Sequence, residues 1–189
     1  AEAASVRAAV AATRGVVMRS GGRAINAYFS ADSGGRVASA REVWGRDLPC
    51  LVTRDDPFSA ASPHHRWELK LSATQLGEKL RTWNVGRVEA ISVPATGESG
   101  RAQKVRVQGS RRTVDIAPGQ FRSALGVDAC KSTLFEGFER AGEQFVIRGR
   151  GWGHGVGMAQ YSAKAMAEAV WTAAQILVFF YPGAELSAA

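Results

Sequence analysis

The chain has 189 residues, 46% of them hydrophobic and 22% charged, and 24 Lys and Arg against 17 Asp and Glu leave a net charge of +7. These are the proportions of one ordinary globular domain with a core of its own. No apolar run reaches membrane-spanning length: the longest, Ala173 to Tyr181, is interrupted by Gln175 and halted by Pro182-Gly183.

In chain order, Ala3 to Thr13 is alanine-rich and predicts a helix stopped by Gly15. It does not read as a signal peptide. Because the chain lacks an initiator methionine and begins inside that helix, it reads as a piece of a longer protein. Val16 to Arg19 and Arg23 to Phe29, around Ser20-Gly21-Gly22, predict a β-hairpin. Ser30 to Gly35 reads as a polar loop, Ser39 to Trp44 as one helical turn, and Leu48 to Pro63 as irregular. Arg66 to Leu71 alternates as a half-buried strand, and Ser72 with Gln75 forms a capping box for a helix through Leu80. Val85 to Pro94, Lys104 to Gln108 and Thr113 to Ile116 predict strands. Pro118 opens a short helix that Gly126 ends. Phe135 to Phe138 and Gln144 to Arg148 predict a second hairpin, and two helices, Met158 to Ala169 and Thr172 to Phe180, close the chain. The expected fold is α+β: a mostly antiparallel β-sheet with several short helices and two C-terminal helices after a glycine-rich loop.

That loop carries the strongest signal. Gly149, Gly151, Gly153, Gly155 and Gly157 fall at every second position around His154, followed by Gln160 and Tyr161. Glycine serves where φ must be positive or where another backbone or a ligand comes close. The run therefore predicts a bare backbone track presenting His154, with a glycine-rich turn around a packed histidine as the plain alternative. It is no nucleotide fingerprint, since it lacks the Lys-Ser/Thr ending and the strand-turn-helix setting.

The charge suggests an anionic partner. Its tightest group, Arg101, Lys104, Arg106, Arg111 and Arg112, reads as a solvated strand face. Neither an RNP pattern nor a helix-turn-helix appears, so nucleic acid is not expected. Cys50 and Cys130 fit either one disulfide or two buried thiols. No metal or other cofactor is expected, because there is no Cys-x-x-Cys and the adjacent His64 and His65 would point apart.

The stretch from Gly149 to Leu186 closely resembles the C-terminal signature of the SpoIID/LytB family. Ala12 to Gly15, Ala27 to Gly35, Glu42 to Gly45, Leu48-Pro49, Asp55 to Pro57, Phe121 to Gly126 and Lys131 to Phe135 resemble further family blocks, in family order. The resemblance spans Ala12 to Leu186 and implies an extracytoplasmic cell-envelope protein that binds peptidoglycan glycan strands, with lytic transglycosylase activity in the characterised branch. It makes residues 1–189 a single SpoIID-like domain lacking its N-terminal catalytic segment. Neither the family's Glu-Met-Pro block nor its upstream His/Cys cluster is found. Ser162 stands where the family usually has glycine, and so does Val170, between the last two helices.

Such cleavage needs one carboxyl group that first protonates the leaving oxygen and then takes the proton of the sugar's 6-hydroxyl. Glu42, Glu68 and Glu89 each read more simply as surface or pairing charges; Glu42, near Ser33-Gly34-Gly35 and Trp44, is the best placed. No catalytic residue is assigned. The expected sugar-binding set is Ser30, Ser33, Gly34, Gly35, Trp152, His154, Gln160 and Tyr161, facing one cleft. Trp152 is the foremost stacking platform, whereas Trp67 and Trp83 read as core. Two functions compete: a glycan-binding or glycan-cleaving domain, and a non-catalytic structural component with envelope protein partners.

Overall fold

A computed structural model describes residues 3–188. The fold is α+β, with helices α1 (Ala4–Ala12), α2 (Ala40–Trp44), α3 (Ala73–Lys79), α4 (Pro118–Leu125), α5 (Gln160–Glu168) and α6 (Ala173–Phe180). Among the described residues no helix is long and apolar enough to cross a membrane.

Two cores divide the molecule. The first lies between two antiparallel sheets. One has the order β10 (Leu134–Ala141), β11 (Gln144–Arg150), β6 (Arg66–Ser72), and the other the order β7 (Val88–Thr96), β8 (Ala102–Gly109), β9 (Thr113–Ile116). Val105, Ile147, Phe121, Leu76 and Trp67 fill it, with α3 and α4 closing its edge. The second core packs α5 and α6, through Met166, Ile176, Phe180 and Tyr181, onto Val37, Leu51 and Val156. Cys130 is buried in the first core and Cys50 in the second, so the two cysteines are separate free thiols. Burial pushes the Cys130 thiol up to about 12.

Local signals set most boundaries. Ser72 accepts from the Gln75 N–H and Gln75 returns a bond to the Ser72 N–H, so the capping box opens α3. Thr172 and Gln175 form a second box at α6. Pro118 stands in the first turn of α4 and Gly126 follows its end.

The first hairpin is shorter than the sequence predicts. β1 (Val16–Ser20) pairs with β2 (Arg23–Ala24) and, on its other side, with β13 (Glu185–Ala188), a strand the sequence does not announce. Phe29 leaves the hairpin because β3 (Phe29–Ser30) pairs in parallel with β12 (Met158–Ala159). In the predicted irregular stretch, β5 (Arg54–Asp55) pairs with β4 (Arg36–Val37), and Pro57–Ala61 forms a 3-10 turn.

Val170 joins α5 to α6 at φ 67° with 88% of its surface exposed. A β-branched residue is strained in that left-handed region, and glycine is not. Val170→Gly is therefore expected to stabilise the protein by about 1 kcal/mol, read as a higher urea midpoint at unchanged slope.

Candidate functional site

Two chain segments cross at backbone contact where the cores meet. Asp32 and Trp152 exchange both backbone bonds, Asp32 N–H to Trp152 O at 3.0 Å and Trp152 N–H to Asp32 O at 2.9 Å. Further along, Ala38 N–H donates to Gly155 O and Met158 N–H to Tyr28 O. The glycines follow from this approach. A Cβ on Gly151 would lie 2.7 Å from Gly34 N, and one on Gly34 would lie 2.9 Å from Gly151 N. Both residues have positive φ, as do Gly153, Gly155 and Gly157. Gly149 differs: it sits within β11, its face covered by the Trp67 ring.

Arg101 lies under the crossing, 1% exposed. It belongs to the group predicted to be a solvated strand face, and its place is instead the interior. It precedes β8, where the chain enters the seam, and its guanidinium donates to Ser33 O at 2.7 Å, Arg36 O at 2.9 Å and Ser99 Oγ at 3.3 Å. Burial lowers its pKa to about 10, against the opposing pull of Glu42 and Asp32. The other members are at the surface: Arg106 and Lys104 pair with Asp115, and Arg111 donates to Asn84 Oδ1.

Behind the crossing is a buried acid–hydroxyl network. Asp56 Oδ2 accepts from Ser33 Oγ at 2.6 Å and Ser162 Oγ at 2.7 Å. Asp32 Oδ1 accepts from Gly34 N–H and from Ser59 Oγ, whose lone pair faces His65 Nδ1 at 3.0 Å. Burial raises the Asp56 carboxyl above the usual carboxylate range; the two serine hydroxyls oppose the shift and Asp32 adds to it. Ser162 thus serves the interior by holding Asp56.

On the outer side of the track a cleft of about 380 Å³ opens beside His154, with Trp44, Glu42, Arg122, Thr133 and Gly119 in its walls. His154 Nδ1 accepts from the Val156 N–H at 3.0 Å. Desolvation lowers the pKa of the ring, against a hydrogen bond to the Phe29 backbone, so the imidazole is neutral at neutral pH. Its face is flanked by Trp44 with centroids 5.1 Å apart, and Trp44 is flanked in turn by Tyr28 at 4.7 Å. Ser99 anchors Glu42 through its N–H to Oε2 at 3.0 Å and its hydroxyl to Oε1 at 2.6 Å.

The predicted sugar-binding residues therefore separate. His154 lines the cleft. Trp152 and Tyr161 instead pack on His64, with Tyr161 Oη 3.3 Å from His64 Nε2 and Lys131 Nζ 4.7 Å from the Trp152 ring centre. Ser33 turns its hydroxyl inward to Asp56, Gly34 is buried in the crossing and Gly35 is half-buried beside it. Ser30 is buried and its hydroxyl has no partner among the described residues. Gln160 is exposed as the first residue of α5. Trp44, which the sequence marked only as a neighbour of Glu42, is the aromatic of the cleft. Asp32 and Asp56 stand in blocks that carry the family resemblance but have no role assigned by it, and Ser59 and Ser99 carry no local motif that would have marked them.

A family model described as a domain of unknown function (DUF8618) matches residues 48–157, more than half of the chain. The amidase enhancer of Bacillus subtilis is 27% identical over 229 residues, covering 95% of this chain and 32% of its own length. Stage II sporulation protein D of the same organism is 29% identical over 181 residues, covering 96% of this chain and 50% of its own length. The chain belongs to the matched family and, with these relatives, to the SpoIID/LytB family. An uncharacterized protein of Brachyspira hyodysenteriae is 32% identical over 186 residues, covering 96% of this chain and 48% of its own. The chain thus spans a third to a half of the length of these relatives.

Two outcomes test the crossing. Gly157→Ala, whose Cβ would run into the Tyr28 carbonyl, is expected to cost about 3 kcal/mol or more. Gly142→Ala, also at positive φ but in open space, is expected to cost about 1 kcal/mol; chemical denaturation of both variants decides it. For Asp56, a carboxyl raised in the folded state binds its proton more tightly there than in the unfolded chain. Its contribution is full at low pH and is lost as the pH rises from about 4 through the raised value. Asp56→Asn is expected to flatten the fall in stability between pH 4 and 7, read from denaturation midpoints.

Proposed function

We propose that this chain is a glycan-strand-binding domain of the lytic transglycosylase type, acting on peptidoglycan outside the cytoplasm in the cell envelope. A cell-wall-related function is supported by the relatives named Stage II sporulation protein D and amidase enhancer. The observation that carries the finer reading is the cleft beside His154. Trp44, 37% exposed, stands in its wall between Tyr28 and the half-buried neutral imidazole of His154, a pair of aromatic groups without charge of their own. Glu42, Gln103 and Thr133 supply hydrogen-bonding groups around it. A neutral aromatic floor with a polar rim suits a ligand of hydroxyl and acetamido groups.

Both Glu42 oxygens accept from Ser99, which suits an anchored acceptor rather than a proton donor to a leaving oxygen. His154 has its Nδ1 engaged by its own loop. On this reading the chain binds glycan and does not cleave it unaided.

Titration of glycan fragments at two salt concentrations tests the binding. Trp44→Ala is expected to weaken binding roughly fivefold, the equivalent of about 1 kcal/mol of ring stacking, and Arg111→Ala with Arg112→Ala to change it little. A steep salt dependence with the arginine variant hit hardest would refute the reading in favour of an acidic polymer. Mass spectrometry after incubation with denuded strands is expected to find no 1,6-anhydromuramyl ends. Their appearance, with loss in Glu42→Gln, would make Glu42 the acid of a cleaving enzyme.

A further inference from the structure

The cleft beside His154 does not end at α4. Gly119, in the first turn of that helix, forms part of its wall and also part of the wall of a second, larger groove of about 810 Å³. Trp83 and Thr82, on the 3-10 turn Arg81–Trp83, form one side of that groove, and Gln120 and Ser123 of α4 the other. Trp83 is half-buried against the first core, and Thr82, Gln120 and Ser123 are exposed. The two depressions therefore meet at a residue without a side chain. A Cβ built at Gly119 meets nothing within 4 Å, so glycine there serves no packing need. A side chain there would stand between the two grooves.

Each groove holds one tryptophan with polar and charged neighbours, Trp44 with Glu42 and Arg122 on the one side and Trp83 with Glu78, Lys79 and Arg81 on the other. A single sugar needs one such platform; a polymer running across Gly119 meets both. The step along α4 from Gly119 to Ser123 is about 6 Å, close to the length of one pyranose unit.

We infer that the groove at Trp83 is a second sugar-binding site, which takes further residues of the glycan strand held at Trp44 and His154, with Gly119 as the crossing point. This rests on the glycan-binding reading above and extends it from a pocket to a track. It assigns Trp83 as a stacking platform, where the sequence alone suggested core, and Gln120 with Thr82 as partners for sugar hydroxyls.

Calorimetric titration of the purified 189-residue chain with N-acetylglucosamine oligomers of two, four and eight units tests it. Wild-type affinity is expected to rise from the tetramer to the octamer. Trp83→Ala is expected to lower octamer affinity at least threefold and to leave dimer binding as it was, whereas Trp44→Ala weakens every length. Because Trp83 packs partly on the core, Gly119→Gln provides a second variant. Its side chain enters open space at a helical position, so the melting temperature is expected to hold or rise, while the octamer loses more affinity than the dimer. Equal octamer affinity in wild type and both variants, with dimer binding intact, would overturn the track and leave the glycan reading standing. Absence of binding at every length by the wild type would overturn both.

Discussion

The structure depends on one close approach, the backbone of residues 28–38 lying against that of residues 151–158. Each segment belongs to a connection that would otherwise have unpaired peptide groups in the interior, and a buried unpaired group is costly. Pairing the two segments satisfies those groups only if the backbones come nearer than side chains permit. Gly151 and Gly157 meet that condition on one strand and Gly34 on the other, while Gly153 and Gly155 make room for the Ser30 side chain and the Arg101 guanidinium. The crossing also joins the two cores, since β11 of the first leads into it and α5 of the second leads out.

A seam of this kind leaves carbonyls facing inward, and Arg101 is the donor that answers them. A buried guanidinium is costly to desolvate and holds its place only where its N–H groups are matched. The Ser33 and Arg36 carbonyls and the Ser99 hydroxyl match its two terminal nitrogens, while Nε has no partner among the described residues. Glu42 and Asp32 supply opposite charge nearby. Asp56 then binds the loop to α5 through Ser33 and Ser162, so the cleft wall, the crossing and the last helices form one connected polar unit. By contrast, the surface pairs of the sheets, such as Arg106 with Asp115 and Arg148 with Glu68, are 31% exposed or more and add little to stability. Their effect is on charge distribution, since each gives a basic side chain an acidic neighbour.

The cleft inherits its rigidity from this unit. His154 is carried by the track itself, Glu42 is fixed by Ser99 beside Arg101, and Trp44 ends the short helix α2, whose Ser39 cap holds its first turn. A binding surface built on such supports is preformed, which reduces the ordering cost of holding a ligand. The named relatives support a cell-wall-related function, and the glycan reading proposed above rests on this preformed cleft.

Much of the secondary structure was legible in sequence because its causes are local. The Ser72–Gln75 box, Pro118 at the start of α4 and Gly126 after it act within a few residues, and those elements form as expected. The β1–β13 pairing and the parallel β3–β12 pairing join residues more than a hundred positions apart, and no local pattern encodes their register. The site divides along the same line. The period-two glycines announced a backbone under close approach and marked His154. Which backbone approached, that Arg101 filled the space beneath, and that Trp152 and Tyr161 would turn to His64 while Trp44 faced His154 were decided by packing between distant segments. The sequence by itself determined where the chain must be bare. Only the tertiary structure decided what lies against it, because burial and hydrogen-bond satisfaction are properties of the assembled interior.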